Sequence, residues 1–417
     1  MTAFRFIHCS DLHIDSPFKG LIRTAPSIES ALRAATEKAW LNIVGLAIRE
    51  RVDAVLVAGD IFDSADRSLR AQFKFREGLR LLDAAGIPAF IACGNHDPLE
   101  SWARTLEFPD NVKLFQADTV QGYPVIRDGR AVAQVYGISF PGRDVHENLA
   151  LRFGREARDG FAVGLLHANV GGNREHDNYA PCSVSDLRDV GLDYWALGHI
   201  HKREVVSVAH PAIVYCGNSQ ARHFKEAEPK GCCLVTLREE AEPDIRFIPA
   251  DAVRFLDVEI EITGAPGPDD LADAVIAGLE SHLQDAADRP IVARAALTGR
   301  ASLGLDMHEE ALSALADEIA SRLPASKISL ELVNRARGLH NLEALRAEGN
   351  FLTDVVTLYD EAMAQPDKEL TDALAEVFSK WKGRALLDPL SPEEMRDLLE
   401  QARDLTLDHL MVDGEEG

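Results

Sequence analysis

Acidic, amide and imidazole side chains follow short apolar runs at five places in the first half of the sequence. Each apolar run is a predicted strand, and the loops after the strands of an α/β sheet meet at one edge of that sheet. In an Asp-x-His or His-x-His pattern, alternate residues of an extended segment lie on the same side, so both members can face one point. The candidate site residues are Asp11, His13, Asp60, Asn95, His96, Asp97, His167, His199 and His201.

Two carboxylates, one amide and four imidazoles of this set can hold two divalent metal ions. Mixed imidazole and carboxylate ligation fits Mn²⁺, Fe or Zn²⁺ better than Ca²⁺, which prefers oxygen ligands alone. Two ions about 3.5–4 Å apart need a bridging carboxylate, and together they generate hydroxide and stabilise the in-line transition state of phosphoryl transfer. Asp60 is the candidate bridge, because Gly59 lets the backbone pass close to the ions. Each motif alone is common in turns or cores, and it is the occurrence of all five that favours a binuclear site.

The elements that must position these residues are strand-like runs that alternate with helical patterns over residues 1–250. This order predicts an α/β domain in which helices cover layered sheets. A first helix is expected around residues 28–51, where small and apolar residues recur on one face. The clearest strands are predicted at residues 4–8, 54–58, 89–92, 132–136, 162–166, 194–197, 213–215 and 232–237.

Residues 251–338 have a different pattern, which predicts a small separate βαβαβ capping domain. The expected order is strand 255–262, helix 270–283, strand 291–297, helix 309–323 and strand 328–333. A Gly- and Pro-rich turn at residues 264–268 follows the first of these strands. Only helical periodicity remains over residues 339–417, which are predicted to be C-terminal helices.

Two apolar stripes in this C-terminal segment predict amphipathic helices. These helices are expected either to fold back on the chain or to form a docking element for a partner. The first stripe, which ends before Gly383, comprises Leu370, Ala373, Leu374, Val377, Phe378 and Trp381. The second comprises Met395, Leu398, Leu399, Ala402 and Leu405. Ser391, Pro392 and Glu394 before the second stripe are typical of a capped helix start.

Charge and cysteine usage exclude several classes of protein. The net charge is −24, and residues 251–417 hold 15 basic against 35 acidic side chains. A protein that binds polyanions by broad electrostatic attraction would be basic, so any contact with nucleic acid depends on metal ions and a local basic lining. The six cysteines form no CxxC pair, which argues against zinc ribbons and disulfide scaffolds. No secretory or membrane-spanning stretch is evident, so a cytoplasmic protein is expected.

The five motifs together resemble the signature of the calcineurin-like metallophosphoesterases, which runs D-x-H, G-D, G-N-H-D or E, H, and G-H-x-H. The resemblance covers residues 1 to about 250. Within that superfamily the segments Phe6–His13 and Gly59–Asp63 look like the SbcD-type nucleases of DNA double-strand-break repair. The segments 16–18, 167–169 and 179–181 look more like the bacterial YhaO-type branch.

The resemblance implies a role for each candidate residue. One ion would be held by Asp11, His13, Asp60 and His201, and the other by Asp60, Asn95, His167 and His199. His96 would act on the scissile phosphate, and Asp97 would orient His96. Some nucleases of the family place a second histidine three residues after the bridging aspartate, whereas this chain has Asp63 there. This departure bears on the balance of exonuclease and endonuclease activity.

Two polar segments are candidates for substrate contacts. Arg174 and His176 lie in a polar insertion after His167. This insertion either carries them to substrate phosphates or is a solvated loop. Arg222, His223 and Lys225 form one of the few basic clusters in an acidic chain, and they could contact backbone phosphates.

The function predicted from these residues and from the resemblance is that of a Mn²⁺-dependent DNA nuclease in DNA repair, with 3′–5′ exonuclease activity implied by the family. The alternatives are a phosphodiesterase or phosphatase that acts on small molecules or phosphoproteins, and a regulatory subunit of an ATPase complex. The resemblance further implies DNA and an SMC-like coiled-coil ATPase as partners. The ATPase is expected to dock on the C-terminal helices. A homodimer is a further possible assembly.

Overall fold

The computed structural model describes residues 3–18, 26–63, 68–101, 107–156, 160–173, 177–208, 210–301, 309–323, 328–372 and 391–412. The chain divides into two compact units. The first unit comprises Met1–Asp257, Ala286–Ala293 and Lys327–Ser329, and the second comprises Val258–Asp285, Arg294–Ser326 and Leu330–Gly417. The predicted division into three domains stays a prediction.

Twelve strands of the described residues build two six-stranded sheets in the first unit. They are β1 Ala3–Cys9, β2 Ala54–Ala58, β3 Ala89–Ala92, β4 Val112–Leu114, β5 Gln121–Arg127, β6 Arg130–Gly137, β7 Phe161–His167, β8 Tyr194–Gly198, β9 Glu204–Ser207, β10 Ala212–Tyr215, β11 Gly231–Arg238 and β12 Asp244–Pro249. One sheet has the order β12-β11-β1-β2-β3-β4 and the other β5-β6-β7-β8-β10-β9. The central strands β1 to β3 and β6 to β8 pair in parallel, so their carboxyl ends lie at one edge of each sheet.

The helices of this unit are α1 Pro26–Arg33, α2 Ala35–Glu50, α3 Leu69–Ala84 and α4 Val184–Asp189. Strand β1 shows how the layers form, because its side chains alternate between two faces. Phe4 and Phe6 belong to the buried cluster that both sheets share, whereas Ile7 packs in a second cluster with Trp40 of α2 and Phe75 of α3. The structure therefore confirms the layered α/β fold class predicted from the sequence.

Two details of this unit differ from the prediction. The single helix expected at residues 28–51 is broken at Ala34, whose φ of −108° and ψ of 2° are not helical. The short edge strands β4, β5, β9 and β12 were not among the clearest predicted runs. They have several half-buried or exposed side chains, and β5 contains Gly122 and Pro124, so their apolar signal is weak.

The rest of the chain follows the predicted βαβαβ order. Its elements are β13 Arg254–Glu261, α5 Pro268–Ala286, β14 Ile291–Thr298, β15 Arg300–Ala301, α6 Glu309–Arg322, β16 Ile328–Asn334, β17 Arg337–Gly338, α7 Leu342–Ala347, α8 Phe351–Met363 and α9 Pro392–Val412. Strands β13, β14 and β16 form a three-stranded sheet in that order, and β15 pairs with β17. Among the described residues, no helix has the length and apolar content to cross a membrane.

Helix α9 begins at the predicted cap. The Ser391 hydroxyl accepts a hydrogen bond from the Glu394 N–H at 3.2 Å, and the Glu394 carboxylate accepts one from the Ser391 N–H at 2.7 Å. The predicted apolar stripe of this helix is only partly buried, because Leu398 and Leu405 are exposed, Leu399 and Ala402 are half-buried and only Met395 is buried. The first stripe falls outside the described residues except for Leu370, which is buried.

Candidate metal centre

The loops after β1 and β2 run side by side and extend the pairing of these parallel strands. The Asp11 N–H donates to the Gly59 carbonyl at 3.0 Å, and the His13 N–H donates to the Asp60 carbonyl at 3.0 Å. A third bond joins the Ile14 N–H to the Ile61 carbonyl at 2.8 Å. The backbone thereby holds three predicted ligands next to one another before any side chain takes part.

Several ligand positions adopt a backbone conformation that L-residues avoid. Asp11, His13, Asp60 and His199 have φ values of 50°, 43°, 51° and 99°. Ten non-glycine residues of the described chain have positive φ, and these four are among them. Each such residue costs on the order of 1–3 kcal/mol and persists only where the surroundings enforce it. The concentration of this strain at the strand ends is typical of a functional site.

Glycines make room for the ligand side chains at three strand ends. A Cβ atom on Gly59 would collide with the His167 imidazole, and one on Gly94 would collide with the Asp60 carboxylate. A Cβ atom on Gly198 would collide with the Ala58 carbonyl. The glycines of the Gly-Asp, Gly-Asn-His-Asp and Gly-His-x-His motifs are therefore required by close packing.

One group of potential ligands consists of Asp11, His13 and His201, whose ligand atoms lie within 4.8 Å of one another. The Nε2 atoms of His13 and His201 are 3.1 Å apart, and Asp11 Oδ1 lies 3.9 Å from His201 Nε2. Two imidazole nitrogens that face each other at this distance can share a proton or a metal ion.

A second group consists of Asp11, Asp60 and His167. His167 Nε2 lies 3.5 Å from Asp60 Oδ2 and 3.0 Å from Asn95 Oδ1. The other ring nitrogen, Nδ1, donates to the Ala58 carbonyl at 2.9 Å, so the lone pair of a neutral ring is on Nε2. Asp11 is common to both groups, whereas the sequence pointed to Asp60 as the bridge, and the bridging role of Asp60 stays a prediction.

His199 lies beside the second group, with its ring centroid 5.2 Å from that of His167. Its Nε2–H donates to the Asp177 carbonyl at 2.7 Å, which makes Nδ1 the nitrogen that carries the lone pair. The two histidines thus offer opposite ring nitrogens to the same region.

Burial dominates the electrostatics of these residues. It raises the pKa of Asp11 well above the ordinary value of an aspartate, and the nearby charge of Asp60 adds to this effect. Burial also lowers the pKa of His13 to about 3 and lowers the pKa of His167 and His201. The imidazoles are therefore neutral at pH 7, which is the form that binds metal. The two buried carboxylates repel each other unless a cation lies between them.

His96 lies at the edge of this cluster with 40% of its side chain exposed. Its ring stands at 90° to that of His13, with 5.1 Å between centroids. Its Nδ1–H donates to the Asp63 carbonyl at 2.6 Å, and its backbone N–H donates to Asp60 Oδ1 at 3.0 Å. His96 is thus fixed beside the ligands while part of its ring stays accessible.

The sequence assigns the orientation of His96 to Asp97, and this role stays a prediction. The buried Asp97 carboxylate accepts from the backbone N–H groups of Asp60, Ile61 and Gly94 at 3.2, 2.9 and 2.9 Å. It therefore joins the loop after β2 to the loop after β3. The carbonyl of Asp63 accepts the hydrogen bond from His96 Nδ1.

The donor set fits divalent cations. Neutral imidazole nitrogens with fixed tautomers, two carboxylates and an amide oxygen converge, and the mixed set suits Mn²⁺, Fe or Zn²⁺. Without a cation, the facing nitrogens and the paired carboxylates would be left in mutual repulsion. The residues that would hold two ions are Asp11, His13, Asp60, Asn95, His167, His199 and His201.

Comparison with protein-family models identifies two regions of the chain. Residues 4–203 match the model of calcineurin-like phosphoesterases. The chain carries a calcineurin-like phosphoesterase domain. Residues 255–334 match the model of the middle domain of the metallophosphoesterase YhaO. The resemblance inferred from the motifs is therefore confirmed, and calcineurin-like phosphoesterases bind two divalent metal ions.

Individual relatives extend the similarity. The uncharacterised metallophosphoesterase YhaO of Bacillus subtilis is 41% identical over 235 residues, which are 56% of this chain and 58% of that protein. The DNA double-strand break repair protein Mre11 of Aeropyrum pernix is 29% identical over 250 residues, 55% and 57% of the two chains. The SbcD subunit of the Bacillus subtilis nuclease SbcCD is 22% identical over 260 residues, 54% and 63% of the two chains. The chain thus spans about three fifths of these relatives.

The predicted substrate contacts of this phosphoesterase domain have different positions. Arg174 and His176 lie outside the described residues. Lys225 is exposed and His223 is half-buried. Arg222 is 13% exposed and lies at the metal centre, where its Nη1 donates to Asp63 Oδ1 at 3.0 Å. Their contacts with substrate stay predictions.

Sequence reasoning missed Glu226 altogether. This buried carboxylate accepts a hydrogen bond from His201 Nδ1 at 2.8 Å. Burial alone would raise its pKa, but the hydrogen bond from His201 and the charge of Arg222 outweigh burial and hold the pKa below its ordinary value. The available signal was the spacing of Arg222 and Glu226, four residues apart, just after a glycine turn.

Proposed function

We propose that this protein is a Mn²⁺-dependent DNA nuclease that hydrolyses phosphodiester bonds in DNA repair, with 3′–5′ exonuclease activity. The observation that carries the proposal is the convergence of five potential metal ligands, with Asn95 and His199 next to them, beside the partly exposed His96. The names of two relatives, a double-strand break repair protein and a nuclease subunit, support DNA as the substrate.

The side chains of the centre divide the work of hydrolysis. Two divalent ions, when bound, supply an activated water molecule and neutralise charge on the phosphate. Asp11 and Asp60 provide the negative charge that holds the ions, and the neutral histidines provide directional lone pairs. His96 donates through Nδ1 to the Asp63 carbonyl, so Nε2 is the nitrogen that carries the lone pair. After Nε2 takes a proton from solvent, the resulting imidazolium can give that proton to the departing sugar oxygen and return to the neutral form.

Manganese is proposed on the chemistry of the donor set. An amide oxygen, carboxylates and imidazoles form a mixed donor set of intermediate hardness. Such a set suits Mn²⁺, whereas all-thiolate and all-oxygen sets select other metals. Activity measured with Mn²⁺, Mg²⁺, Zn²⁺ and Fe²⁺ after chelation of the purified protein tests this choice. The proposal expects the highest kcat/KM with Mn²⁺.

The substrate is tested with three compounds in parallel. The protein is incubated with Mn²⁺ and 3′-labelled duplex DNA, with single-stranded DNA and with a chromogenic phosphodiester, and His96→Ala is the matched control. A nuclease releases labelled mononucleotides from DNA, and the release depends on His96. Hydrolysis of the chromogenic ester without any cleavage of DNA would contradict the nuclease.

A small-molecule phosphodiesterase is the second candidate, and the charge distribution favours it. The 35 acidic against 15 basic side chains of residues 251–417 repel a nucleic-acid backbone. For this candidate, raising the salt concentration leaves kcat/KM nearly constant. A DNA nuclease that relies on its local basic lining loses kcat/KM steeply between 50 and 200 mM salt, because counterion release weakens DNA binding by orders of magnitude.

A partner is proposed for the C-terminal helices. Phe351 and Leu358 lie seven residues apart on α8 and are 66% and 65% exposed, while Leu398 and Leu405 on α9 are 41% and 43% exposed. Seven residues are nearly two helical turns, so each pair lies on one side of its helix. We propose that these side chains contact an SMC-like coiled-coil ATPase.

The full chain with Leu358→Ser and Leu405→Ser tests the docking. We expect it to keep its Mn²⁺ affinity and thermal unfolding midpoint and to lose co-purification with the ATPase. The matched control is Leu151→Ser, at an equally exposed leucine of the first unit. Unchanged co-purification of the double variant would contradict the docking.

A further inference from the structure

Two imidazoles of the metal centre are each backed by a carboxylate. His13 and His201 face each other through their Nε2 atoms at 3.1 Å. At the far side of each ring, Asp63 Oδ1 lies 3.2 Å from His13 Nδ1, and Glu226 Oε1 lies 2.8 Å from His201 Nδ1. An ionised carboxylate only accepts hydrogen bonds, so Glu226 fixes the His201 proton on Nδ1 and leaves the lone pair on Nε2. Asp63 meets His13 Nδ1 at ion-pair distance without hydrogen-bond geometry, and its charge favours a proton on that nitrogen.

Arg222 joins the two backing carboxylates. Its Nη1 donates to Asp63 Oδ1 at 3.0 Å, and its Nη2 lies 3.5 Å from Glu226 Oε1 and 3.2 Å from His201 Nδ1. Because Arg222 is a permanent donor, the His201 proton is shared with the carboxylate and not with the guanidinium. One cation thus lies against two carboxylates that stand behind two different ligands.

The remaining bonds of Glu226 hold the carboxylate in place. Glu226 Oε2 accepts from the Arg222 backbone N–H at 2.8 Å and from Asn218 Nδ2 at 3.0 Å, and His223 Nε2 lies 3.6 Å from Oε1. Asp63 Oδ2 accepts from the Ser16 hydroxyl at 3.1 Å. Both carboxylates are therefore fixed by several donors, and neither can turn away from its histidine without losing some of them.

We infer that Glu226, Arg222 and Asp63 form a bridge that positions His13 and His201 with their Nε2 lone pairs toward one metal ion. In this bridge Glu226 and Arg222 are positioning residues for the metal centre. The inference rests on metal binding by the proposed enzyme and is independent of DNA as the substrate. It reassigns Arg222 from the substrate contact predicted by the sequence to the support of the ligands.

A contact of Arg222 with substrate is the competing interpretation. The Nε atom of Arg222 is buried and has no hydrogen-bond partner, so it could receive a phosphate oxygen that enters the centre. The two interpretations predict different losses. A positioning role lowers metal affinity before any substrate is present, whereas a substrate contact raises KM and leaves metal affinity unchanged.

The decisive experiment is Mn²⁺ titration of the chelated full-length protein by calorimetry. We expect Glu226→Gln and Arg222→Gln to lower the affinity of the tighter site 10- to 100-fold, the usual effect of removing a group that orients a metal ligand. Glu37→Gln is the matched control, because Glu37 is a buried carboxylate paired with an arginine, Arg70, outside the bridge. We expect its affinity to equal that of the wild type.

A second measurement reports the tautomer directly. In metal-free protein labelled with ¹⁵N-histidine, the wild-type His201 signal should show a protonated Nδ1 and a bare Nε2, assigned by its absence in His201→Gln. Glu226→Ala should shift this signal toward the Nε2–H form, because the acceptor at Nδ1 is lost. Glu226→Asp, which keeps the charge, should recover part of the Mn²⁺ affinity that Glu226→Gln loses.

The outcomes separate the inference from the proposed function. A wild-type protein that binds no Mn²⁺ contradicts the proposed function. A wild type that binds Mn²⁺ while Glu226→Gln and Arg222→Gln stay within about twofold of it overturns the bridge. An Arg222→Gln variant with unchanged affinity and a raised KM supports the substrate contact instead. If a variant unfolds, as its metal-free thermal midpoint would show, the wild-type tautomer decides the matter, since a protonated Nε2 in His201 overturns the inference.

Discussion

The strand-end loops of the first unit and the C-terminal helices of the second hold their polar and apolar residues in opposite ways. In the loops, buried carboxylates and imidazoles such as Asp97 and His167 each meet specific partners at hydrogen-bond distance. On α8, the large apolar side chains of Phe351 and Leu358 are about two thirds exposed, and on α9 Leu398 and Leu405 are 41% and 43% exposed. The loops are organised around converging charged and polar groups, and the helices present apolar surface to their surroundings.

The difference shows which kinds of functional region can be recognised from a sequence. A metal centre needs rare residue types at fixed points of the backbone, so its residues can be named from the sequence. A docking surface needs only exposed leucines and phenylalanines, which also occur singly on proteins that bind nothing there. Variants of the two regions should therefore differ in kind, with chemistry lost from the loops and stability or binding lost from the helices.

The largest effect is expected at Asp60. Asp60→Asn removes one of the two carboxylates that hold the ions and keeps the shape of the side chain, so hydrolysis should fall to the background rate. Metal content, measured by mass spectrometry after gel filtration, should drop below that of the wild type. Full metal content together with full activity would show that the centre does not depend on this carboxylate.

Replacement of His96 should separate catalysis from metal binding. His96 contacts Asp63 and lies beside the ligands, so His96→Ala should lower kcat roughly 10²- to 10⁴-fold, the range of a positioned acid or base, while both ions stay bound. Rate measurements at saturating Mn²⁺ and a metal titration on the same preparation check this. Loss of metal from His96→Ala would place His96 among the ligands.

Substitution of a buried leucine in the C-terminal helices should lower the free energy of unfolding. Leu407 of α9 is fully buried in a small cluster with Leu345 and Val356, so Leu407→Ala should cost about 2–5 kcal/mol of unfolding free energy. Leu405→Ala, two residues away and 43% exposed, should change the unfolding free energy by less than about 0.5 kcal/mol. Urea unfolding followed by circular dichroism measures both. Equal losses would mean that the exposure of Leu405 is not kept in solution.

The smallest effect is expected from a single added methyl group. Gly94→Ala brings a Cβ against the Asp60 carboxylate, and overpacking of this kind costs about 1–3 kcal/mol. Gly154→Ala is the matched control, because a Cβ there meets nothing within 4 Å. Unfolding midpoints of both variants with and without Mn²⁺ should show a loss for Gly94→Ala alone, and the loss should be larger with metal present.

The parts of this protein that could be predicted from the sequence are those with a local signal. The ligand residues and the cap of α9 follow from residue types at short spacing, as Asp11 and Ser391 show. The break of the first helix at Ala34 could not be predicted, because alanine favours helix and only the observed backbone ends it there. Glu226 was missed because its partner His201 is 25 residues away and only the fold brings the two together.

Directed evolution for thermal stability alone would tend to dismantle this centre. Asp11, His13 and Asp60 have left-handed backbone, and a glycine or asparagine at such a position relieves strain on the order of 1–3 kcal/mol. In a chelating buffer the loss of a buried carboxylate brings a further gain, because charge repulsion disappears. Saturating divalent metal reverses the selection, since an ion that binds only the folded state adds its binding free energy to stability. Libraries of this protein should therefore be screened with Mn²⁺ present, so that folding and the metal site are selected together.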